Sequence, residues 1–303
     1  MPNEIRLDAF PPPEMAEKAE NVGVKKANLD FWSMFALAVL AGAFIGLGAE
    51  FCTLVITDTG LGFGLNKLLG GFVFSLGLIL VVVAGAELFT GNNLIVMAWV
   101  NGKLTLGQLM RNWVTVYLGN LVGSLGTAML MYFTRQWAFS SYHVGATALN
   151  IANGKVNLSF TEGLTRGILC NALVCLAVWL CFSGRSVTDK ILAIVFPITA
   201  FVASGFEHSI ANMYFIPIGI LLKGEPQVVE AAGKVTSDLV NLNLQGFLNN
   251  LIPVTIGNIF GGGFMVAVVY WFIYRRPKEA EKRFGVRQVL DLFLATSKSD
   301  STE

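Results

Sequence analysis

The sequence feature that most constrains the fold is a long apolar run, residues 191–222, with polar residues in its middle. Tyrosine aside, the only ionisable side chains in this run are Glu207 and His208. As one helix the run would be ~48 Å long, against ~30 Å for the hydrocarbon core of a bilayer. Two half-helices that meet at a break fit better, and Gly205 supplies a permissive backbone there. We therefore predict non-helical backbone within residues 204–209.

Glu207 and His208 are candidates for a functional site because ionisable groups are costly inside a membrane. A lone histidine in an apolar run is often only a hydrogen-bonded interior residue. Two adjacent polar groups at that depth are harder to explain by packing alone. Ser209 and Asn212 follow closely and would line the same break.

A second apolar run, residues 68–100, has the same length problem and contains one ionisable group, Glu87. At ~50 Å it is also too long for a single straight span. Gly85 and Thr90 lie close to Glu87, together with two asparagines and a second glycine. These residue types interrupt helices or line the interruption, so we predict a break within residues 87–92.

The composition is that of a membrane protein. Hydrophobic residues make up 54% of the chain and charged residues 14%, and the mean hydropathy is +0.63. No basic patch with interleaved aromatic residues indicates a nucleic-acid partner. The four cysteines lie in apolar runs without CxxC spacing, so we interpret them as small buried hydrophobic residues. We expect a lipid bilayer around the chain, no metal, no cofactor and no enzymatic activity.

We predict an all-α membrane protein with six transmembrane helices, two of them broken. The predicted spans are residues 31–56, 68–100, 113–132, 163–182, 191–222 and 247–274. They form one six-span domain, residues 31–275, in which residues 136–158 are interpreted as a polar loop. Residues 1–30 should be a cytoplasmic segment with a short amphipathic helix, on the membrane surface or the protein's own inner face, or else a solvated tail. Residues 276–303 should form a basic cytoplasmic tail.

The even number of spans puts both termini on one side, and the charges indicate which side that is. Of the 21 lysines and arginines, fifteen fall on the side of the termini and six on the other. Cytoplasmic segments carry the excess of positive residues. Both termini should therefore be cytoplasmic, in a multi-pass protein of the cell (inner) membrane.

The two broken runs resemble each other, which indicates an internal repeat. Glu87 and Glu207 each follow a glycine by two residues and precede an asparagine by five. The third and sixth spans share a Gly-Asn-x-x-Gly pattern, residues 119–123 and 257–261, whose glycines let helices approach closely. Copies with three spans each must lie in opposite orientation, and such repeats place a substrate path at their interface. The two halves are residues 31–135 and 159–275.

Several stretches resemble the formate/nitrite transporter family. Residues 201–213 are similar to its signature around a histidine, and residues 85–91 are similar to its first broken-helix motif. Residues 119–123 and 171–179 are also similar, and the similarity extends from about residue 11 to 275. The resemblance implies a homopentamer in which each aquaporin-like protomer is a channel for small monovalent anions such as formate, nitrite or hydrosulfide.

The resemblance also implies roles for individual residues. His208 matches the central histidine, and Thr90 faces it. The residues that match the groups holding the histidine by hydrogen bonds are Asn171, Glu207 and Asn212. Those that match the outer and the inner hydrophobic constriction are Phe74 and Phe201, and Leu78, Leu88 and Val174. Lys155 matches a lysine of the outer vestibule.

Formate is the substrate that the resemblance favours, with nitrite and hydrosulfide as alternatives. Residues 201–217 and 249–258 look like formate channels, whereas residues 41–48 and the Thr90-Gly91 pair look more like nitrite channels. Glu50 departs from the pattern of the formate channels.

The physics of an apolar pore suggests a mechanism. An anion in a dry constriction faces a large desolvation cost, which falls sharply if the anion takes up a proton. We hypothesise that formate crosses as formic acid, with His208 and Thr90 hydrogen-bonding or protonating it. Two other classes stay open, a neutral-solute channel and a membrane redox subunit. A b-type haem commonly needs two histidines inside the bundle, whereas His143 lies in a predicted loop.

Overall fold

The computed structural model describes residues 9–277, whose regular secondary structure is helical without a strand. Residues 1–8 and almost all of the predicted basic tail lie outside these described residues. The described helices pack around one large hydrophobic core, and a smaller core lies on the side of the termini.

The helices divide between the two halves of the chain. Those of the first half are α1 (Pro12–Ala27), α2 (Phe31–Ile56), α3 (Phe63–Ala84), α4 (Val96–Val100) and α5 (Leu106–Thr134). Those of the second half are α6 (His143–Val156), α7 (Phe160–Ser183), α8 (Val187–Ala203), α9 (Ser209–Leu222), α10 (Pro226–Ala231), α11 (Leu244–Ile259) and α12 (Val269–Tyr274). Short 3-10 segments are Gly91–Ile95, Gln136–Ala138 and Thr236–Leu239, and a π-helical segment is Phe260–Val268.

Five continuous helices of the described chain are long and apolar enough to cross a membrane. They are α2, α3, α5, α7 and the joined helix Leu244–Tyr274. The predicted fifth span is instead divided between α8 and α9, with 17 and 14 residues. The all-α membrane architecture is confirmed, and the number of six transmembrane spans stays a prediction.

Both apolar runs break where the sequence predicts. Gly85 ends α3 with a φ of +84°, and Gly205 follows α8 with a φ of +69°. Both angles lie in the left-handed region that glycine adopts without strain. Helix resumes at Gly91 as a 3-10 segment and at Ser209 as α9. The breaks put the polar residues of both runs on non-helical backbone inside the protein.

The interpretation of residues 136–158 as a polar loop is wrong, because most of this stretch is the helix α6. Polar residues are interspersed with a regular apolar helix face that has one buried residue per turn. The residues of this face are Val144, Ala148, Ala152 and Val156. This face packs against α9, where Ala152 leaves room only for Gly219. The helix α1 precedes the predicted first repeat half, and α6 precedes the predicted second half.

The glycines of the third and sixth spans permit the close helix crossings that the sequence predicts. A Cβ at Gly123 would collide with the carbonyl oxygen of Val39 in α2. In the other half, a Cβ at Gly261 would collide with the carbonyl oxygen of Ile168 in α7. Backbones this close leave no space for a side chain.

The π-helical segment at the end of the last span is a feature that the sequence pattern does not predict. It contains the Gly261-Gly262-Gly263 run, and a Cβ at Gly262 would meet the side chains of Asn171 and Cys175. π-Helical segments are rare in proteins as a whole, and those that occur often lie at functional sites. Here the glycine backbone of the segment contacts Asn171 and Cys175, which in turn contact Thr90.

The amphipathic helix predicted in the N-terminal segment is α1, and it packs on the protein itself. Met15 and Ala19 are buried in a cluster with Leu94 and Ile95. Glu20 on the same face is fully buried. Its carboxylate lies 2.7 Å from Lys103 Nζ and accepts hydrogen bonds of 3.1 Å from Nε and Nη2 of Arg275. This ion pair ties α1 to the end of the last span.

We predict that Glu20→Gln destabilises the protein by about 1–3 kcal/mol, because it removes a buried carboxylate that pairs two cations. Thermal unfolding of the protein in mild detergent should occur several degrees lower than in the wild type. Glu17→Gln, a change at an exposed position of the same helix, is the control and should shift unfolding little. Equal unfolding temperatures for both variants would contradict a structural role of the Glu20 ion pair.

Candidate functional site

His208 and Thr90 form a buried pair at the centre of the protein, one from each break. His208 is 3% exposed and Thr90 is fully buried. Thr90 Oγ1 lies 2.9 Å from His208 Nε2, and His208 Nδ1 accepts a 3.1 Å hydrogen bond from the backbone N–H of Ala211. The histidine is thus the N-cap of α9, with its side chain closing the first turn of that helix.

The Ala211 bond fixes the tautomer of the neutral imidazole. A backbone N–H can only donate, so Nδ1 of His208 must provide the lone pair. The ring proton then lies on Nε2 and is donated to Thr90 Oγ1. The Thr90 hydroxyl keeps its own proton, which it can donate to a further acceptor.

The carbonyl of Thr90 is held from behind by two side chains of α7. Asn171 Nδ2 donates to it at 3.2 Å, and Cys175 Sγ donates at 3.3 Å. Asn171 Nδ2 also donates to the carbonyl oxygen of Asn258 at 2.7 Å. These contacts fix the backbone that carries the Thr90 hydroxyl.

The carboxylate next to the histidine belongs to a separate network. Glu207 Oε1 accepts from Lys155 Nζ at 2.9 Å, and Oε2 accepts from Asn212 Nδ2 at 2.7 Å. Asn212 Nδ2 also donates to Asn250 Oδ1 at 2.7 Å. The lysine side chain is 14% exposed and that of Glu207 5%, so the ion pair is largely desolvated.

The first break contains the same network. Glu87 Oε1 accepts from Lys26 Nζ at 2.7 Å, and Oε2 accepts from Asn92 Nδ2 at 2.7 Å. Asn92 Nδ2 also donates to Asn112 Oδ1 at 3.0 Å. Lys26 therefore stands in the first half where Lys155 stands in the second.

Two further asparagines satisfy the backbone at the breaks. Asn120 Nδ2 donates to the Glu87 carbonyl at 2.9 Å, and its Oδ1 accepts from Phe89 N at 2.9 Å. Asn258 does the same in the other half, with 3.0 Å to the Glu207 carbonyl and 2.9 Å from Ser209 N. These bonds remove the cost of interrupted helices in the interior.

Sequence reasoning missed Lys26, Asn112 and Asn250 although a signal was present. Asn112 precedes Asn120 by eight residues, and Asn250 precedes Asn258 by eight. The matching spacing extends the repeat that the Gly-Asn-x-x-Gly pattern marks. No comparable pattern identifies the lysines, because their alignment depends on the helices α1 and α6.

The predicted support of the histidine differs from the geometry. The resemblance implies that Asn171, Glu207 and Asn212 hold the histidine by hydrogen bonds, yet their side-chain bonds go elsewhere. The ring is held instead by Thr90 and Ala211. Asn171 acts on the Thr90 backbone, and Glu207 with Asn212 forms the Lys155 network, so their support is indirect.

Two cavities lie near the His208–Thr90 pair; His208 lines one of them, whereas Thr90 lines neither. We name them the outer and the inner vestibule after the predicted orientation of the chain. The outer vestibule, of about 360 Å³, is lined by His208, Phe74 and Phe201 and by three cations, Lys67, Lys155 and Arg166. The inner vestibule, of about 320 Å³, lies on the side of the termini. It is lined by Leu78 and Leu88 and by three cations, Lys18, Lys26 and Lys190. Each vestibule has a single acidic side chain in its wall, the paired glutamate of the nearer network.

Apolar side chains separate the two vestibules. The rings of Phe74 and Phe201 meet edge to face with centroids 5.7 Å apart, and Phe201 stacks on His208 at 5.9 Å. Leu78 and Leu88 are each 2% exposed at the end of the inner vestibule. Val174 is 1% exposed and lines neither cavity.

Comparisons with known proteins identify the family of the chain. The model of the formate/nitrite transporter family matches residues 13–272. The chain is 46% identical over 277 residues to the formate channel FocA of Escherichia coli K12, which covers 90% of this chain and 97% of that protein. It is 40% identical over 280 residues to a probable formate transporter of Methanothermobacter thermautotrophicus, which covers 87% and 96%.

Two solved structures share the fold. One is a pentameric formate channel with formate bound, with 44% identity, a TM-score of 0.76, and 80% of this chain and 97% of that chain covered. The other is an ion channel of the FNT family, with 28% identity, a TM-score of 0.73, and 86% and 98% covered. The chain is therefore a multi-pass membrane protein that belongs to the formate/nitrite transporter family.

Proposed function

We propose that this protein is a formate channel in which the substrate crosses between the two vestibules past His208 and Thr90. The observation that carries the proposal is the buried pair of Nε2 and Oγ1, 2.9 Å apart, between a phenylalanine pair and a leucine pair. Within the described residues, this is the one place between the two vestibules where an imidazole N–H and a hydroxyl lie within hydrogen-bond distance of each other. The relatives named as formate channels support this choice of substrate.

The charges of the vestibules favour small anions. Each vestibule has three cations and one carboxylate in its wall, so an anion is attracted from either side. The apolar side chains between the vestibules form what we call the apolar seal, which consists of Phe74, Phe201, Leu78 and Leu88. This seal strongly opposes the passage of a charged solute. A carboxylate that takes up a proton at the seal no longer has this cost. Formic acid is the neutral form of formate, and we expect it to be the species that passes.

The His208–Thr90 pair has the hydrogen bonds to receive this species. The free hydroxyl proton of Thr90 can be donated to a carboxylate oxygen, and His208 Nε2–H can follow if Thr90 turns. A full imidazolium would require His208 to give up its bond with Ala211 N–H. We therefore infer that the neutral pair acts as a hydrogen-bond donor and that the transferred proton comes from water. His208 can supply the proton only after Nδ1 has given up its bond with Ala211 N–H and taken up a proton, because loss of the Nε2 proton then leaves a neutral ring.

The oligomer and orientation are part of the same proposal. We propose a homopentamer in the cell (inner) membrane with both termini cytoplasmic, residues 31–275 as the channel domain and six transmembrane spans. The exposed apolar residues of α5 suit lipid or a neighbouring protomer, and they include Leu118, Val122, Leu125 and Met129. A stable monomer or trimer in native mass spectrometry would contradict the pentamer.

The substrate is tested by a flux panel in proteoliposomes. Formate uptake should exceed that of lactate and chloride, and it should be accompanied by proton uptake. Nitrite and hydrosulfide are the alternative substrates of the family, and either one passing faster than formate would replace formate in the proposal. Passage of uncharged solutes without anion flux would identify a neutral-solute channel instead.

We predict that His208→Asn flattens or shifts the pH response of formate flux. Asparagine can cap α9 and donate a hydrogen bond, but it cannot titrate near neutral pH. His208→Phe should lower flux further, because it leaves Thr90 without its partner at a cost of about 1–3 kcal/mol. The measurement is labelled-formate flux between about pH 5 and 8, with oligomer integrity as the control. A wild-type pH profile in His208→Asn would exclude His208 as the source of the transferred proton and leave it the role of a hydrogen-bond donor.

We predict that Lys155→Gln lowers formate flux at least tenfold, because it leaves the buried Glu207 carboxylate without a cation beside the passage. A barrier increase of about 1.4 kcal/mol is enough for a tenfold change. The double variant Lys155→Gln/Glu207→Gln removes the charge and should recover much of the flux. Lys26→Gln should act in the same way through Glu87.

The matched control is Lys223→Gln. Its ammonium group donates to the carbonyls of Leu239 and Leu242, and it lines neither vestibule. Flux in this variant should stay within about twofold of the wild type. A double variant slower than Lys155→Gln alone would contradict the electrostatic explanation.

A further inference from the structure

The inner vestibule has more positive charge than its own carboxylate can compensate. Lys18, Lys26 and Lys190 line it, and Glu87 is the only acidic residue in its wall. Glu87 pairs with Lys26 at 2.7 Å. Neither Lys18 nor Lys190 forms an ion pair with any carboxylate, inside or outside the wall, in the part of the chain that the structure describes.

Lys18 lies in a strongly cationic part of the wall. Its Nζ donates to the carbonyl oxygen of Phe182 at 3.3 Å and lies 4.6 Å from the ring centre of Phe10. The guanidinium of Arg185 lies on the same ring at 4.0 Å. Burial, followed by the charges of Lys190 and Arg185, lowers the pKa of Lys18. One carbonyl uses one of the three ammonium donors, so donors remain for an anion.

The size of the inner vestibule exceeds what formate alone needs. Its volume is about 320 Å³, whereas a water molecule occupies about 30 Å³. Binding pockets for small organic molecules start at about 300 Å³. The cavity ends at Leu78 and Leu88, so a larger anion that enters it stops at the apolar seal.

The outer vestibule likewise has three cations and one carboxylate in its wall, but one of its cations pairs with a carboxylate outside the wall. Lys155 pairs with Glu207 at 2.9 Å, and Arg166 pairs with Glu162 at 3.6 Å. Lys67 lies 5.7 Å from the ring centre of Phe63. One cation is thus left for an anion on this side, against two on the side of the termini.

We propose that the inner vestibule is a binding site for a small dianion, a dicarboxylate or a phosphate, held between Lys18 and Lys190. Two unmatched cations complement two negative charges, whereas formate matches only one. A dianion still carries a charge after it takes up one proton, so it cannot cross the seal as a neutral acid. Bound there, it blocks formate passage from the side of the termini. Inhibition of formate flux can be measured only if the proposed channel function is correct, whereas binding of the dianion does not depend on that function.

The first experiment measures formate flux through the full-length protein in bilayers of known orientation at about pH 8. Succinate and inorganic phosphate, as the two probes, are added to one face at a time at constant ionic strength set with chloride. Either probe on the side of the termini should inhibit flux at a concentration at least tenfold lower than on the other face. Inhibition by neither probe, or equal inhibition from both faces, would overturn the proposal.

Variants test whether the two lysines form the site. Lys18→Gln and Lys190→Gln should each raise the inhibitory concentration at least tenfold, measured against the variant's own uninhibited flux. Lys25→Gln is the matched control, because Lys25 is exposed on the same helix and does not line the cavity. Unchanged inhibition in Lys18→Gln, or an equal change in Lys25→Gln, would contradict the site.

Direct binding separates this inference from the proposed function. Titration calorimetry of the detergent-solubilised protein with succinate and with phosphate should give binding that Lys18→Gln weakens at least tenfold. If the wild type moves no formate yet binds a probe in this manner, the proposed channel function fails and the site stands. If formate passes and neither probe binds, the site fails and the channel function stands.

Discussion

The structure depends on how polar groups are satisfied where two helices break inside a membrane protein. A break leaves backbone groups without helical partners, and each such group costs several kcal/mol in an apolar surrounding. Asn120 and Asn258 provide the missing partners on both sides of their breaks. Glu87 and Glu207 are next to these bonds, each neutralised by a lysine from a helix that precedes its half.

The two breaks are equivalent in scaffold and different in chemistry. Three residues after the break glycine, one half has Leu88 and the other has His208. Two residues further, Thr90 in the first half corresponds to Ile210 in the second. The histidine of one half therefore meets the hydroxyl of the other at 2.9 Å, and the leucine closes the inner vestibule. A symmetric fold thus carries one asymmetric site, made from both halves.

Charged, paired and apolar side chains lie at different depths of the protein. In the proposed channel, cations in the vestibule walls attract anions, and the lysine partners of Glu87 and Glu207 reduce the repulsion between these carboxylates and an anion. The apolar side chains between the vestibules oppose any species that stays charged. The hydrogen bond from Ala211 keeps Nδ1 of His208 occupied, so the ring presents its proton at Nε2. The surplus charge of Lys18 and Lys190 makes the two vestibules unequal, although their scaffolds correspond.

The sequence by itself determined the membrane character, both helix breaks and the candidate histidine. These follow from local facts: the length of an apolar run, a glycine within it, and ionisable groups where they are costly. Only the tertiary structure decided that α6 is a helix, that Lys26 reaches Glu87, and that Thr90 and Ala211 hold the His208 ring. Those contacts join residues of different elements, or depend on the direction of a side chain at a break. Hydrophobic periodicity identifies the buried face of a helix, but the partner of that face is fixed only when the helices pack.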